Sequence, residues 1–273
     1  MRGWEKWSPS ASHFHFATKD VKYERSEVED FSGLRELAKR KPLPSRRRKY
    51  SGAKRLKLSI PGRAGEFDRV LQERRTWREF SRKPLDLRRL QTLLWLSFGV
   101  QGWAKIPGVG RLPLKTSPSG GALHPLEAYV LIRNVTGIGP GIYHYDDEGH
   151  SLELLRAGCS RAEVKKFLAG QDWFCGSAFV VFLTAVFQRS QWKYEHPRAY
   201  RVVLAEAGHV CQTFCLTATW LGLAPFCTMA LADTKIERAL GADGIIESVV
   251  YGMGAGLRPK RAATADRLRM RGT

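Results

Sequence analysis

The sequence predicts a mixed α+β sandwich organised around one long central helix. An unbroken apolar run from Ala178 to Phe187 is typical of a buried strand. Residues 199–221 are apolar nearly all round a helix, which Gly222 ends, so this helix is expected to be covered on most sides. Shorter helical and strand patterns flank these two segments, and the helices are therefore expected to pack against a sheet.

Spacing, caps and turn residues predict the other elements. The first helix presents Phe67, Val70 and Leu71 on one face. Three further helices are predicted by their caps, at Asp86, at the capping box of Ser160 and Glu163, and at Asp233; the last two helices end at Gly170 and Gly241. Strands are expected at 127–133, 141–145, 152–155 and 245–253, the middle two forming a hairpin.

Length and charge limit the function classes. A chain of 273 residues fits one large domain or two small ones, and 43% hydrophobic residues exclude wholesale disorder. Lys and Arg number 45 against 26 Asp and Glu, which gives a net charge of +19. Such a surface attracts anions, whether nucleic acid, acidic lipid, phosphorylated cofactors or acidic peptides, and does not choose among them.

The cysteines and the apolar runs predict a soluble, cytoplasmic protein with no membrane segment. Five cysteines form no C-x-x-C pair, and three of them lie in apolar sequence, which is typical of reduced thiols. The longest apolar run is about ten residues, too short to cross a bilayer. No metal site is predicted, because His13 and His15 lack a third ligand and Cys211 and Cys215 fit core packing.

Three parts are expected along the chain: a basic N-terminal extension or strap (1–65), a globular domain (66–257) and a basic C-terminal tail (258–273). Residues 39–57 contain ten Lys and Arg and no acidic residue. A solvated strap is favoured here over a nucleic-acid-binding arm, because few aromatic residues are interleaved with the charges.

Three segments of the globular part have residues suited to chemistry. In 73–80, three guanidinium groups (Arg74, Arg75, Arg78) and the Thr76 hydroxyl can converge on one phosphate; a solvated basic turn is the alternative. Residues 116–127 form a turn of small residues stiffened by prolines, which allows close backbone approach to a flat ring. Lys193 and Tyr194 are two proton-transfer groups, unless they are an ordinary surface pair.

Other motifs are set aside. The glycine clusters at 137–141 and 252–256 read G-x-G-x-G and lack the spacing of a dinucleotide fingerprint, and no P-loop occurs. An S-x-x-K match at 190–193 stands in the wrong chain order for a penicillin-recognising enzyme.

Taken together and in order, these segments resemble the FMN-dependent nitroreductase superfamily. More narrowly they resemble SagB-type azoline dehydrogenases, which oxidise thiazolines and oxazolines in ribosomally made peptides. Residues 74–78 match R-R-S-x-R, 118–125 match P-S-A-G-A-L-Y-P with His124 in place of tyrosine, and 193–194 match the lysine–tyrosine pair. Residues 200–212 are similar to the "YR…EAGH…Q" helix, and 15–19 to an "H-x-x-[ST]-K" segment.

The resemblance implies a three-layer fold with a central, mostly antiparallel sheet flanked by helices, a long core helix and an N-terminal extension. It implies FMN as cofactor and no metal, with Lys193 and Tyr194 as catalytic residues. The cofactor-binding residues that it implies are Arg74, Arg75, Thr76, Arg78, Pro118, Ser119, Gly120, Gly121, Leu123, His124, Met229, Ala230 and Arg258.

The function implied is oxidation of azoline rings to azoles in a precursor peptide, with reduced flavin reoxidised by dioxygen. A homodimer with flavin at its interface is expected, as is a complex with a YcaO-type cyclodehydratase; a nucleic-acid partner is not. One alternative is an NAD(P)H-dependent nitroreductase or flavin reductase of the same fold. Another is a non-catalytic basic scaffold or nucleic-acid-binding protein, which the charge of 1–65 suggests.

Overall fold

A six-stranded antiparallel sheet forms the middle layer of the molecule. The computed structural model describes residues 8–22, 39–40, 54, 56–59 and 65–260. The strand order is β5-β4-β3-β6-β8-β7, and a separate two-stranded hairpin consists of β1 and β2. The strands are β1 (Val100–Ile106), β2 (Gly110–Lys115), β3 (Leu126–Ile132), β4 (Gly141–Asp146), β5 (Ser151–Ala157), β6 (Phe179–Val186), β7 (Leu223–Thr228) and β8 (Glu247–Leu257).

Helices cover both faces of this sheet, which confirms the predicted three-layer α+β fold. One buried cluster joins α3 and α6 to one face, and a second joins α4 and α7 to the other. The helices are α1 (Pro9–Ala17), α2 (Glu66–Glu73), α3 (Leu87–Phe98), α4 (Arg161–Phe167), α5 (Phe187–Gln191), α6 (Arg198–Trp220) and α7 (Asp233–Leu240).

The central helix and the buried strand are where the sequence predicts them. Helix α6 buries ten of its residues, including Val203, Ala207 and Phe214, and Gly222 follows it at φ +74°. Strand β6 is buried from Phe179 to Ala185 and pairs with β3 and β8. Both segments are apolar on most sides because each has neighbours on most sides.

Two of the three predicted caps are confirmed and one is wrong. Asp86 accepts a hydrogen bond from the Arg89 backbone N–H at 2.9 Å, and Ser160 accepts one from the Glu163 N–H at 3.1 Å. Asp233 is the first residue of α7 rather than its cap. The Thr234 N–H at this helix start donates instead to Asp20, at 3.1 Å, so a distant segment supplies the acceptor that the local sequence lacks.

Residues 8–22 of the predicted extension pack on the globular domain. His15 Nδ1 lies 3.1 Å from the Tyr200 hydroxyl on α6. Lys19 Nζ lies 2.6 Å from a Glu237 carboxylate oxygen, and the Glu237 side chain is only 4% exposed. Removing one partner of such a buried pair typically costs about 3–5 kcal/mol. Most of the basic stretch 39–57 lies outside the described residues.

The structure corrects the sequence expectations at three further points. The predictions omit the β1–β2 hairpin. Its turn contains Pro107 and Gly108 and is closed by a hydrogen bond from the Val109 N–H to Ile106 O at 3.1 Å. They also omit β7, an edge strand that contains Pro225. On α2 only Val70 is buried; Phe67 and Leu71, predicted to share its apolar face, are exposed. Among the residues described, no helix is both long and apolar enough to cross a bilayer.

Candidate functional site

Lys193 and Tyr194 lie against the glycine turn, although about seventy residues separate them along the chain. Both backbone N–H groups donate to Ser190 O, at 3.3 and 3.0 Å, which fixes the pair just after α5. A Cβ on Gly121 would lie 3.0 Å from Lys193 Nζ and 3.0 Å from the Tyr194 hydroxyl. Gly121 also adopts φ +71°. The turn therefore needs glycine here for both its conformation and the space for the two side chains.

The pair is open to the exterior on the side of the lysine. Lys193 is exposed and Tyr194 is half-buried. Lys193 Nζ lies 5.4 Å from the centre of the Tyr194 ring. Two groups that can each exchange a proton thus meet at one surface of the turn.

A buried carboxylate holds the turn against α6. Glu206 is 3% exposed, and its Oε2 accepts hydrogen bonds from Ser119 Oγ at 2.7 Å and from the Gly120 N–H at 3.4 Å. Ser119 Oγ in turn accepts from the His124 N–H at 2.9 Å. The start and the end of the turn are therefore tied to one side chain of the central helix.

The rest of the predicted loop is fixed by neighbouring elements. His124 Nε2 lies 3.0 Å from Pro113 O on β2, and Arg189 donates to His124 O at 3.2 Å. Burial, and next the charge of Lys115, lower the pKa of His124 to about 4. Of the other predicted loop residues, Leu123 is half-buried and Pro118 is exposed.

The predicted phosphate block runs along the outer edge of β7. The Trp77 N–H donates to Pro225 O at 2.9 Å, which gives the edge strand a partner for part of its length. Arg74, Arg75 and Thr76 are half-buried and Arg78 is exposed. The Arg258 guanidinium lies 5.6 Å from the Trp77 ring centre. Arg258 is anchored by hydrogen bonds to Thr219 O (3.2 Å) and Leu223 O (2.9 Å), which place it beside the predicted block.

Three thiols converge beside Arg74. The sulfur atoms of Cys211, Cys215 and Cys227 lie within 4.8 Å of one another. Hydrogen bonds from Cys211 and Cys215, and the charge of Arg74, lower the pKa of the Cys227 thiol. Met229 and Ala230 follow directly after β7; Met229 is 57% exposed, and Ala230 O accepts from Gln171 at 2.9 Å.

One protomer does not bring all the predicted site residues together. The turn and the lysine–tyrosine pair adjoin α6 at Glu206, whereas Arg258 binds α6 at Thr219, thirteen residues and about 20 Å further along the helix axis. Arg74 faces Cys215, which is half a turn around the helix from Glu206. The predicted site residues thus fall into two groups, which are named here by their predicted roles: the catalytic half-site (118–124 with 193–194) and the phosphate half-site (74–78 with Arg258).

The two half-sites fit a phosphorylated cofactor with a flat ring, such as FMN. Three guanidinium groups and a hydroxyl suit a dianionic phosphate. The small side chains of the turn from Ser119 to Ala122 allow a flat ring to approach its backbone. The antiparallel three-layer fold around these residues differs from the Rossmann and P-loop folds that bind nucleotides.

Comparison with known proteins assigns the family. The nitroreductase family matches residues 71–257, and the chain belongs to this family. MJ1384, a nitroreductase-family protein of Methanocaldococcus jannaschii, is 33% identical over 175 residues, which cover 64% of this chain and 84% of that protein. The microcin B17-processing protein McbC of Escherichia coli is 28% identical over 165 residues, covering 58% of this chain and 57% of McbC.

A solved structure shows the same fold over nearly the whole chain. A chain of the E. coli microcin synthetase McbBCD complex with truncated pro-MccB17 bound matches with a TM-score of 0.64 at 20% identity. The match covers 94% of this chain and 96% of that chain. The predicted membership in the nitroreductase superfamily is confirmed, and the McbC relationship agrees with the resemblance to SagB-type enzymes.

The contacts of Glu206 and Trp77 were not predicted from the sequence. Glu206 was part of a motif match only, yet it accepts a hydrogen bond from the turn directly. A carboxylate in a mostly apolar helix is the sequence signal for such a contact, since a buried acid needs hydrogen-bond partners. Trp77, which lies under Arg258, was noted only as the variable position of the arginine block; its pairing with a distant arginine has no local sequence signal.

Gly121→Ala is expected to displace Tyr194, whereas Gly108→Ala is not. Both glycines have φ near +70°, so each substitution should lower the free energy of unfolding in urea titrations by at least about 1 kcal/mol. Only at Gly121 does the new methyl group meet Lys193 and Tyr194; at Gly108 it meets open space. The ring NMR resonances of Tyr194, assigned with Tyr194→Phe, should therefore shift in Gly121→Ala alone. Unchanged resonances in that variant would contradict the geometry.

Proposed function

We propose that this protein is an FMN-dependent oxidoreductase that oxidises thiazoline or oxazoline rings to azoles in a ribosomally synthesised peptide. The observation that carries the proposal is the convergence of Lys193 and Tyr194 on Gly121 in a chain of the nitroreductase family. The McbC relative, named for microcin B17 processing, supports a peptide substrate over a small nitro compound.

FMN binding is proposed for the two half-sites. Arg74, Arg75, Thr76, Arg78 and Arg258 would hold the phosphate, and the anchoring of Arg258 to two carbonyls keeps its planar face on Trp77. The turn from Pro118 to His124 would lie along the ring. Met229 and Ala230 would lie at the ring edge, as the family resemblance suggests.

A two-fold homodimer would join the half-sites of different protomers. In one protomer α6 stands between them, so the phosphate half-site of one copy is proposed to complete the catalytic half-site of the other. The exposed Phe67 and Leu71 on α2, 67% and 45% accessible, support this arrangement because they directly precede the arginine block and are left uncovered by the part of the chain that the structure describes.

The chemistry divides between cofactor and protein. When bound, a flavin accepts the hydride equivalent that leaves the azoline ring. Lys193 or Tyr194 accepts the proton from the acidified azoline carbon; both reach the same turn, so one serves as the base and the other orients it. The ring thus loses two hydrogens and becomes aromatic, and dioxygen is the proposed final acceptor.

The partners proposed are a precursor peptide and a cyclodehydratase. An azoline must first be made by cyclodehydration of a cysteine, serine or threonine, so an enzyme of that class has to act before this one. The matching solved chain belongs to a synthetase complex that holds a peptide, which supports such an assembly, with a YcaO-type enzyme as the expected partner. The charge of +19 suits an acidic leader segment. The free thiols of all five cysteines suit the cytoplasm.

A nicotinamide-dependent nitroreductase or flavin reductase is the second candidate, favoured by the match to MJ1384. It requires rapid reduction of the bound flavin by NADH or NADPH and no role for Lys193. A non-catalytic basic scaffold would bind no flavin, and the purified protein would be colourless.

Lys193→Ala and Tyr194→Phe are expected to lower azoline oxidation at least about 100-fold while flavin stays bound, because each removes a proton-transfer group and leaves the phosphate half-site intact. The readout is the loss of two hydrogens from an azoline peptide by mass spectrometry. Lys105→Ala, an exposed lysine on β1, and Tyr143→Phe, a tyrosine hydrogen-bonded to Gly139 O, serve as controls that retain activity. Full activity in both test variants would contradict the catalytic roles proposed for Lys193 and Tyr194.

Arg74→Ala and Arg78→Ala are expected to weaken FMN binding about 10- to 100-fold each, since each loses a charge-assisted contact. Arg88→Ala, an exposed arginine on α3, should bind FMN as the parent does. Flavin fluorescence quenching measures the affinity. Equal affinity for FMN in all three variants would show that the phosphate binds elsewhere.

A further inference from the structure

The thiol cluster of Cys211, Cys215 and Cys227 has no task in the proposed chemistry. Cys211 and Cys215 lie about one turn apart on the same face of α6, and both are buried. Cys227 lies on β7, where Leu223 and Cys227 pack with the α6 side of the sheet and Phe226 packs on the other side. Alternation along the strand therefore directs Cys227 toward the helix. Two rigid elements bring the three sulfur atoms together.

The spacing of the sulfur atoms suits one bound cation. All three are free thiols, and their sulfur atoms lie within 4.8 Å of one another. A metal ion in the plane of three sulfur atoms, at about 2.3 Å from each, needs them about 4 Å apart. A disulfide needs two of them at about 2.05 Å and leaves the third unused. A cation therefore uses all three sulfur atoms and requires each separation to shrink by less than about 1 Å.

The type and number of ligands determine which cation fits. Thiolates are soft ligands that select Cu(I) and Zn(II), whereas Mg²⁺ and Ca²⁺ prefer oxygen. Structural zinc sites are almost always four-coordinate. Within the described part of the chain, no fourth cysteine, histidine, aspartate or glutamate joins the three thiols. Cu(I) is satisfied by three thiolates in a plane, so this ligand set favours Cu(I) over Zn(II).

The surroundings of the cluster favour the ionised sulfur that a metal needs and give it a way in. Hydrogen bonds from Cys211 and Cys215 lower the pKa of the Cys227 thiol against the effect of burial, and Tyr251 and Arg74 act in the same direction. Cys227 is half-buried, whereas Cys211 and Cys215 are 3% and 4% exposed. A cation therefore enters on the side of β7, meets Cys227 first and displaces the protons of the two thiols behind it.

We propose that Cys211, Cys215 and Cys227 form a three-sulfur binding site for Cu(I). Binding exchanges thiol protons for the cation and changes the oxidation state of neither sulfur nor copper. The site departs from the sequence prediction of no metal, which treats Cys211 and Cys215 as core packing. Its third ligand comes from β7, a strand that the sequence pattern does not predict. The site does not depend on the proposed azoline chemistry.

The first measurement titrates the purified chain with Cu(I) under anaerobic, reducing conditions, in competition with the chelator bathocuproine disulfonate. The parent should bind one Cu(I) per chain. Cys211→Ala, Cys215→Ala and Cys227→Ser should each lower the affinity at least about 100-fold, more than the loss of an outer-shell partner typically costs. Melting curves identify the variants that fold. The control, Cys159→Ser combined with Cys175→Ala, removes the two cysteines outside the cluster and should bind Cu(I) as the parent does.

The second measurement records copper X-ray absorption spectra of the Cu(I)-loaded parent, which should show three sulfur neighbours and no nitrogen or oxygen neighbour. An equal concentration of Zn(II) should not displace the Cu(I). The proposal is overturned if the parent binds no Cu(I), if a folded Cys227→Ser variant binds it as tightly as the parent, or if fewer than three sulfur atoms surround the copper. Displacement by Zn(II) would overturn the assignment of the cation.

Discussion

Helix α6 separates the two groups of candidate site residues. It is buried against the sheet along its length and binds the glycine turn near its first third and Arg258 near its end. Because a 23-residue helix is rigid and about 35 Å long, the two half-sites stay apart within one protomer. A cofactor that contacts both half-sites is therefore proposed to bind between protomers, and in such a dimer cofactor binding and association would support each other.

The turn beside α6 shows how backbone conformation and buried polarity combine at a site. Gly121, Ala122 and His124 all have positive φ, and two of these are not glycine. Such conformations cost free energy and persist only where neighbours enforce them. Here Glu206, Pro113 and Arg189 supply the contacts, from a helix, a hairpin strand and the short α5. The strain is thus maintained by three elements that converge from distant parts of the sequence.

Local sequence patterns predict the helices, strands and caps that interactions between nearby residues determine. The long helix, the buried strand and the Asp86 and Ser160 caps follow from periodicity and from side chains within three residues. Strand β7 was missed because Pro225 argues against a strand, and the edge position that tolerates it is a property of the sheet order. The predicted Asp233 cap is wrong because the acceptor for the Thr234 N–H, Asp20, is more than two hundred residues away in the sequence. The three candidate segments are visible in the sequence, but their division between opposite sides of α6 depends on tertiary packing.

Hybrid dimers test the shared site most directly. One chain would carry Arg74→Ala and Arg78→Ala, and a differently tagged chain Lys193→Ala and Tyr194→Phe; each alone forms dimers with both sites defective. If each site takes its phosphate half-site from one protomer and its catalytic half-site from the other, the purified hybrid has one site free of substitutions and recovers about half of the parent activity. A hybrid no more active than either defective parent would contradict the account, because both half-sites would then have to come from the same chain.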